Sequence, residues 1–240
     1  MSKPDQNRTV LRRRFLQGMA LAVPGVALLG CGTERPHAEL DAANAPGSSL
    51  DASEKRFLDA AVERLIPADS LGAGAREAGV VTFIDRQLAG PFGLAQTWYL
   101  RGPWKKGTKQ QGYQSKLTPA EMYHAAIRDI ETYCRHKYRK NFEALSPNDQ
   151  DSVLHGLETG GIDLPNVPAK AFFKILWNNT QQGYLADPMY GGNRDFAGWK
   201  LIGFPGPRYN YVAEIEQFGK PFKMPTVGLR GRGNLHRNGG

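Results

Sequence analysis

Helix-start signals constrain the fold of this chain more than any other feature. Thr118-Pro119-Ala120-Glu121 places a capping hydroxyl, a proline at the first helical position and a glutamate three residues after the cap. That combination satisfies the free N–H groups of a first helical turn from both sides. Met122, Ala126, Ile130, Tyr133, Cys134 and Tyr138 follow at helical spacing and predict a helix to about Asn141. Asp51 and Glu54 repeat the pairing ahead of Phe57, Leu58, Ala61, Val62, Leu65 and Ile66, and Pro67 ends that run. Val80, Val81, Ile84 and Leu88, with Phe83 at the flank, predict a second helix that stops at Gly90-Pro91. Ser146-Pro147 opens another, through Val153, Leu154 and Leu157 to Gly160-Gly161. A fifth runs from about Pro168 through Phe172, Phe173, Ile175, Leu176 and Trp177 to Tyr184. Beyond Asp187 only the stretch near Phe196 to Leu201 has helical character. No alternating strand pattern and no internal repeat occurs. The expected fold class is all-α: a compact helical domain with long ordered loops and an irregular C-terminal segment. The longest loop, 90–117, carries enough aromatic residues to predict order.

The N-terminus reads as an address. In Leu11-Arg12-Arg13-Arg14-Phe15-Leu16, the pair Arg12-Arg13 precedes one variable residue and then Phe15 and Leu16, the form of a twin-arginine export signal. An uncharged run from Gly18 to Gly30 follows, too short to span a bilayer as a helix. Leu28-Leu29-Gly30-Cys31 is similar to a lipobox, which makes Cys31 a candidate lipidation site. The expected organisation is a signal peptide over 1–30, a flexible tether over 31–50 and a helical domain over 51–240. The expected location is the periplasm, with attachment to a membrane through lipidated Cys31. The formal charge is +8, and half of that excess lies in the first 30 residues, where five basic side chains face only Asp5. The remainder is too mild to predict nucleic acid as a partner.

No motif of catalytic, cofactor or metal chemistry appears. No GxGxxG follows a strand signal, and Gly191-Gly192-Asn193 lacks the lysine of a phosphate-binding loop. The histidines, His37, His124, His136, His155 and His236, never pair at a spacing of three or four, so no helix-borne metal site is expected. Two cysteines, Cys31 and Cys134, are too few for a metal cluster and too far apart for a haem attachment motif. Glu121, Asp129 and Glu131, like Asp59 and Glu63, read as solvated helix-face charges. No catalytic, cofactor-binding or metal-ligating residue is assigned. An export signal on such a chain fits a subunit that lends its address to a partner lacking one.

Several stretches together resemble the gluconate 2-dehydrogenase subunit 3 family. They are Leu65 to Asp69, Gly74 to Val80, Phe83-Ile84-Asp85, Gln111 to Gln114, Leu117 to Glu121, and above all Asp187-Pro188-Met189-Tyr190-Gly191-Gly192-Asn193-Arg194-Asp195 with Gly198-Trp199 and Ile202 to Gly206. The likeness covers about residues 51–207, with Val227 to Gly231 as a further tail element. It implies the non-catalytic small subunit of a membrane-associated, FAD-dependent dehydrogenase of sugars, sugar acids or polyols. The large subunit would carry FAD and the catalytic residues, and a multihaem cytochrome c subunit would take the electrons. The small subunit would aid maturation of the large one and carry it through the twin-arginine translocase. The alternative is a stand-alone periplasmic enzyme with an unrecognised site.

The segment 187–207 holds five glycines, four aromatics and three prolines. Glycine permits close backbone approach and positive φ, and large aromatics supply contact area. Tyr190, Gly191, Gly192, Asn193, Arg194, Trp199 and Phe204 are therefore the candidate partner-binding residues. The competing reading is internal: the same aromatics can cap the helical core, and the two roles can coexist.

Overall fold

The computed structural model describes residues 48–98, 100, 102, 104–105, 107–111, 115–220 and 224–231. The export-signal residues Arg12, Arg13, Phe15 and Leu16, the candidate lipidation site Cys31 and the stretch Gly112 to Gln114 lie outside the described residues.

Six α-helices occur among the described residues, and no strand: α1 (Ala52–Leu65), α2 (Val80–Ala89), α3 (Pro119–Tyr138), α4 (Pro147–Thr159), α5 (Ala169–Leu185) and α6 (Ala197–Ile202). The domain is all-α, as the periodicity predicts. Both anticipated capping boxes are made. The Asp51 carboxylate accepts from the Ser53 and Glu54 N–H groups while Glu54 accepts from the Asp51 N–H, and Thr118 and Glu121 do the same for α3. Ser146 caps α4, and Gly160 ends it in the left-handed region at φ 73°. Helix α3 stops at Tyr138, short of the expected Asn141, because Arg139 turns left-handed at φ 60°.

Helix α5 is the centre of the bundle. It lies against α1, α2, α3 and α4. Its Phe172 meets Tyr123 of α3 edge-on, ring centroids 5.4 Å apart, and the Tyr123 hydroxyl accepts a 3.0 Å hydrogen bond from Asn179 Nδ2. Phe57 of α1 packs on Phe142, in the turn between α3 and α4, at 4.8 Å. Phe57, Leu58, Ile84, Leu88, Met122, Leu157, Phe172 and Leu176 are fully or almost fully buried. Each such side chain contributes about 1.5–3 kcal/mol relative to exposure.

Two carboxylates hold the connections. Asp85 of α2 accepts from the Ser49 and Leu50 N–H groups at 2.8 and 2.9 Å and pairs with Lys55 Nζ at 2.8 Å. Residues 48–50, the end of the expected tether, are thereby fastened to the bundle, with Leu50 buried. Burial alone would raise the Asp85 pKa, but the bonds from Lys55, Leu50, Ser49 and Ser48 hold it below the usual value. Asp129 departs from the sequence reading. It is buried, not solvated, and accepts from the Asn166 N–H and Nδ2 at 2.9 and 2.8 Å, tying α3 to the loop before α5. Helical spacing marks a face as polar but does not show when a loop will cross it. Glu131 is likewise drawn in, accepting from the Phe142 N–H at 3.3 Å from each carboxylate oxygen. Burial, then the neighbouring Glu143 carboxylate, outweigh that bond and raise its pKa.

Candidate partner-docking site

The segment after α5 folds back onto the helix that precedes it. A short 3₁₀ turn, Pro188–Tyr190, is capped by Asp187, which accepts from the Met189 N–H at 3.0 Å. A second 3₁₀ turn, Arg194–Phe196, leads into α6. Neither turn was expected from the sequence, since three-residue turns leave no periodic signature.

Two glycines make this return path. A Cβ on Gly192 would lie 2.1 Å from the Gly183 carbonyl oxygen, and one on Gly198 would lie 2.1 Å from that of Tyr184. The segment therefore rests directly on the backbone of the last turn of α5. That turn carries carbonyls with no partner inside the helix. Trp199 Nε1 donates to Leu185 O at 2.7 Å, and Asn193 Nδ2 donates to Ala186 O at 2.8 Å. Asn193 also accepts from the Gly198 N–H at 2.8 Å, which clips α6 in place.

The backbone here is strained. Asn193, Asp195 and Phe196 sit at φ 48°, 55° and 59°. Asn and Asp tolerate the left-handed region, whereas for Phe it costs on the order of 1–2 kcal/mol. Burial offsets that cost: Phe196 stacks on Trp199 with centroids 5.4 Å apart and planes 17° apart. Phe204 then meets Trp199 edge-on at 5.0 Å.

The candidate residues thus divide. Gly192, Asn193 and Trp199 face inward, Trp199 with 5% of its surface exposed, and they cap α5 and α6. Tyr190 and Phe204 are partly exposed. The Arg194 N–H donates to Ala78 O at 2.9 Å and its side chain is exposed. Gly191, at φ 107°, lies against Thr82 and Arg86 of α2. Tyr190 and Leu185 line one open groove, of about 670 Å³, with Phe83 and Gln87.

A second set of side chains, not singled out in the sequence, extends the surface. Leu201, Ile202, Tyr209, Val212, Ile215, Phe218, Met224 and Leu229 are all exposed, Ile202 by 60% and Phe218 by 86%. Parts of this stretch are fastened by hydrogen bonds. Val227 N–H donates to Pro205 O at 3.2 Å, Leu229 N–H to Asp187 Oδ2 at 2.7 Å, and Tyr211 Oη to Gly206 O at 3.0 Å. The signal was present in the tail: large apolar residues without a period, which a bundle cannot cover. Contiguous exposed apolar surface marks association sites, and these residues are the candidates for one.

Among the described residues no three His, Cys, Asp or Glu converge to hold a metal, and no helix is long and apolar enough to cross a membrane. Cys134 is buried, and burial followed by the Glu131 charge pushes its thiol pKa up to about 12. It therefore stays protonated and poorly nucleophilic.

A family model described as gluconate 2-dehydrogenase subunit 3 matches residues 52–206, more than half of the chain. No curated protein and no solved structure matches it.

Proposed function

This chain belongs to the gluconate 2-dehydrogenase subunit 3 family, and on that premise we propose that it is the non-catalytic small subunit of a periplasmic, FAD-dependent dehydrogenase of sugars, sugar acids or polyols. It binds the flavoprotein subunit, aids its maturation and brings it through the twin-arginine translocase on the strength of Arg12-Arg13. FAD and the reacting groups belong to that large subunit, and a multihaem cytochrome c is the class of acceptor that would take its electrons. Cys31 is the candidate attachment to the membrane.

The observation that carries the reading is the exposed apolar set from Leu201 to Leu229, beside Tyr190 and Phe204. Side chains of this kind contribute about 1.5–3 kcal/mol each when fully buried, and the chain's own core leaves them in water. A large partner surface is the natural cover.

The test is made in the native host with the full-length chain. A tagged copy should co-purify with a protein carrying bound flavin and sugar-dependent dye reduction. Replacing Arg12 and Arg13 with lysine should leave both proteins in the cytoplasm, and the mass of the exported N-terminus reads whether Cys31 carries lipid. Flavoprotein that still reaches the periplasm would refute the escort role. Sugar oxidation by the purified chain alone would refute the non-catalytic one.

A further inference from the structure

A cleft of about 290 Å³ lies where α2 meets the Gly191-Gly192 turn and the tail, and three arginines reach it: Arg86 of α2, Arg194 of the 3₁₀ turn and Arg230 of the tail. Among the described residues Asp195 is the only carboxylate in its wall. Elsewhere in the domain other cations are matched: Arg64 grips Asp151 through Nε and Nη2, both at 2.7 Å, and Lys55 pairs with Asp85. Among the described residues no ion pair engages Arg86 or Arg194.

The cleft is kept open by glycine. A Cβ on Gly191 would stand 3.2 Å from Arg86 Nη1 and 3.2 Å from Thr82 Cγ2, and one on Gly79 would stand 3.3 Å from Arg194 Nη2. Both positions also have positive φ, 107° and 75°. The left-handed residues on either side of Arg194 fix where its side chain departs. Guanidinium groups are planar forks suited to two-point binding of a carboxylate or phosphate.

We propose that this cleft is an oxyanion socket that receives an acidic side chain of the flavoprotein subunit when the two dock. The proposal rests on the docking reading above and adds to it the chemistry of one contact. Three features favour a partner's carboxylate. The cleft has room for one carboxylate group. Exposed apolar residues stand near two of the arginines in the chain, Tyr190 four positions before Arg194 and Leu229 directly before Arg230. Leu229 is bonded through its N–H to Asp187, which starts the motif. A charged contact flanked by apolar ones that exclude water is how an interface gains specificity and strength together.

The experiment titrates the full-length chain against the co-purified flavoprotein by calorimetry at several salt concentrations. Arg86→Gln with Arg194→Gln should weaken binding roughly tenfold or more and flatten its salt dependence, while the free subunit melts as the wild type does. Arg86→Lys with Arg194→Lys should recover part of that affinity. Unchanged affinity and salt slope in the glutamine variant overturn the socket. If Phe218→Ser with Ile215→Ser weakens the complex in the same assay, that failure leaves docking standing; if it does not, docking fails separately. Should the glutamine variant melt early, the lysine variant decides: restored melting with weak binding supports the socket, and early melting in both assigns the arginines to the fold and overturns it. Inorganic phosphate and acetate are titrated into the chain alone. Anion binding that needs Arg86 and Arg194, together with unchanged flavoprotein affinity, assigns the cleft to a free anion and overturns the partner's carboxylate.

Discussion

Phe172 and Phe218 are the same side chain in opposite settings. The first sits on α5 with none of its surface exposed, edge-on to Tyr123; the second lies beyond the last 3₁₀ turn, Val212–Glu214, with 86% of its surface in water. The contrast extends to the regions around them. Helices α1 to α4 bury one face each in a common core around α5, while Ile202, Val212, Ile215 and Phe218 of the tail stay largely in water. A domain is stable when each apolar face finds another layer. The bundle has done so and much of the tail has not, so stability resides in the first region and the proposed docking is assigned to the second. Gly192, Asn193 and Trp199 form the seam: Gly192 lets its backbone rest on α5, Asn193 and Trp199 donate to Ala186 O and Leu185 O, and Tyr190 and Phe204 remain partly exposed.

The sharpest way to break this division is to truncate one side chain in the bundle and one in the seam. Phe172→Ala should cost about 4 kcal/mol, the usual range for emptying a buried aromatic position. Trp199→Ala should approach it, at about 3 kcal/mol, because it opens a cavity and also strips the hydrogen bond from Leu185 O. Chemical denaturation of the isolated chain measures both. A Trp199→Ala cost under about 1 kcal/mol would move Trp199 out of the fold and return it to the partner surface.

Asp85→Asn tests how the bundle holds residues 48–50 and should cost about 2 kcal/mol, reduced from a fully buried pair because Lys55 remains partly in water. Its pH dependence has a definite sign. The Asp85 pKa is below the ordinary 3.8 in the folded chain, held there against burial by Lys55 and the backbone N–H groups of Leu50 and Ser49. Such a carboxylate stabilises the fold above its unfolded pKa and loses that contribution as pH falls through the folded value. The difference between wild type and Asp85→Asn should therefore be full near neutral pH and shrink below about pH 3.8. A gap that persists undiminished into stronger acid would mean the carboxylate charge is not what fastens this end.

These elements were unequally legible. The helices of the bundle could be read because capping pairs such as Thr118 and Glu121 and apolar spacings such as Phe172, Ile175 and Leu176 are local properties of the chain. The buried role of Asp129 could not, because it depends on Asn166, thirty-seven positions away. The seam was half legible. Its glycines and aromatics announced close contact, but only three dimensions show that the contact made by Gly192, Gly198 and Trp199 is with the chain's own α5. The arginine cleft was the least legible, since Arg86, Arg194 and Arg230 come from three separate segments with no shared spacing.

The smallest expected effect is the most informative about the tail. Phe218→Ser and Ile215→Ser should each change the stability of the isolated chain by no more than about 0.5 kcal/mol, as exposed substitutions do. Their side chains are 86% and 64% exposed, so little transfer from water is at stake in the free subunit. The nearby backbone is held by bonds that neither substitution removes, Gln217 N–H to Glu214 O at 2.9 Å and Gln217 Nε2 to Ala213 O at 2.8 Å. Serine should also improve solubility by breaking up the apolar surface. A loss of about 2 kcal/mol in the isolated chain would mean the tail packs on the bundle in solution, and the contrast between Phe172 and Phe218 would collapse. A neutral result leaves these side chains free to be covered by another protein, which is the condition the docking reading requires.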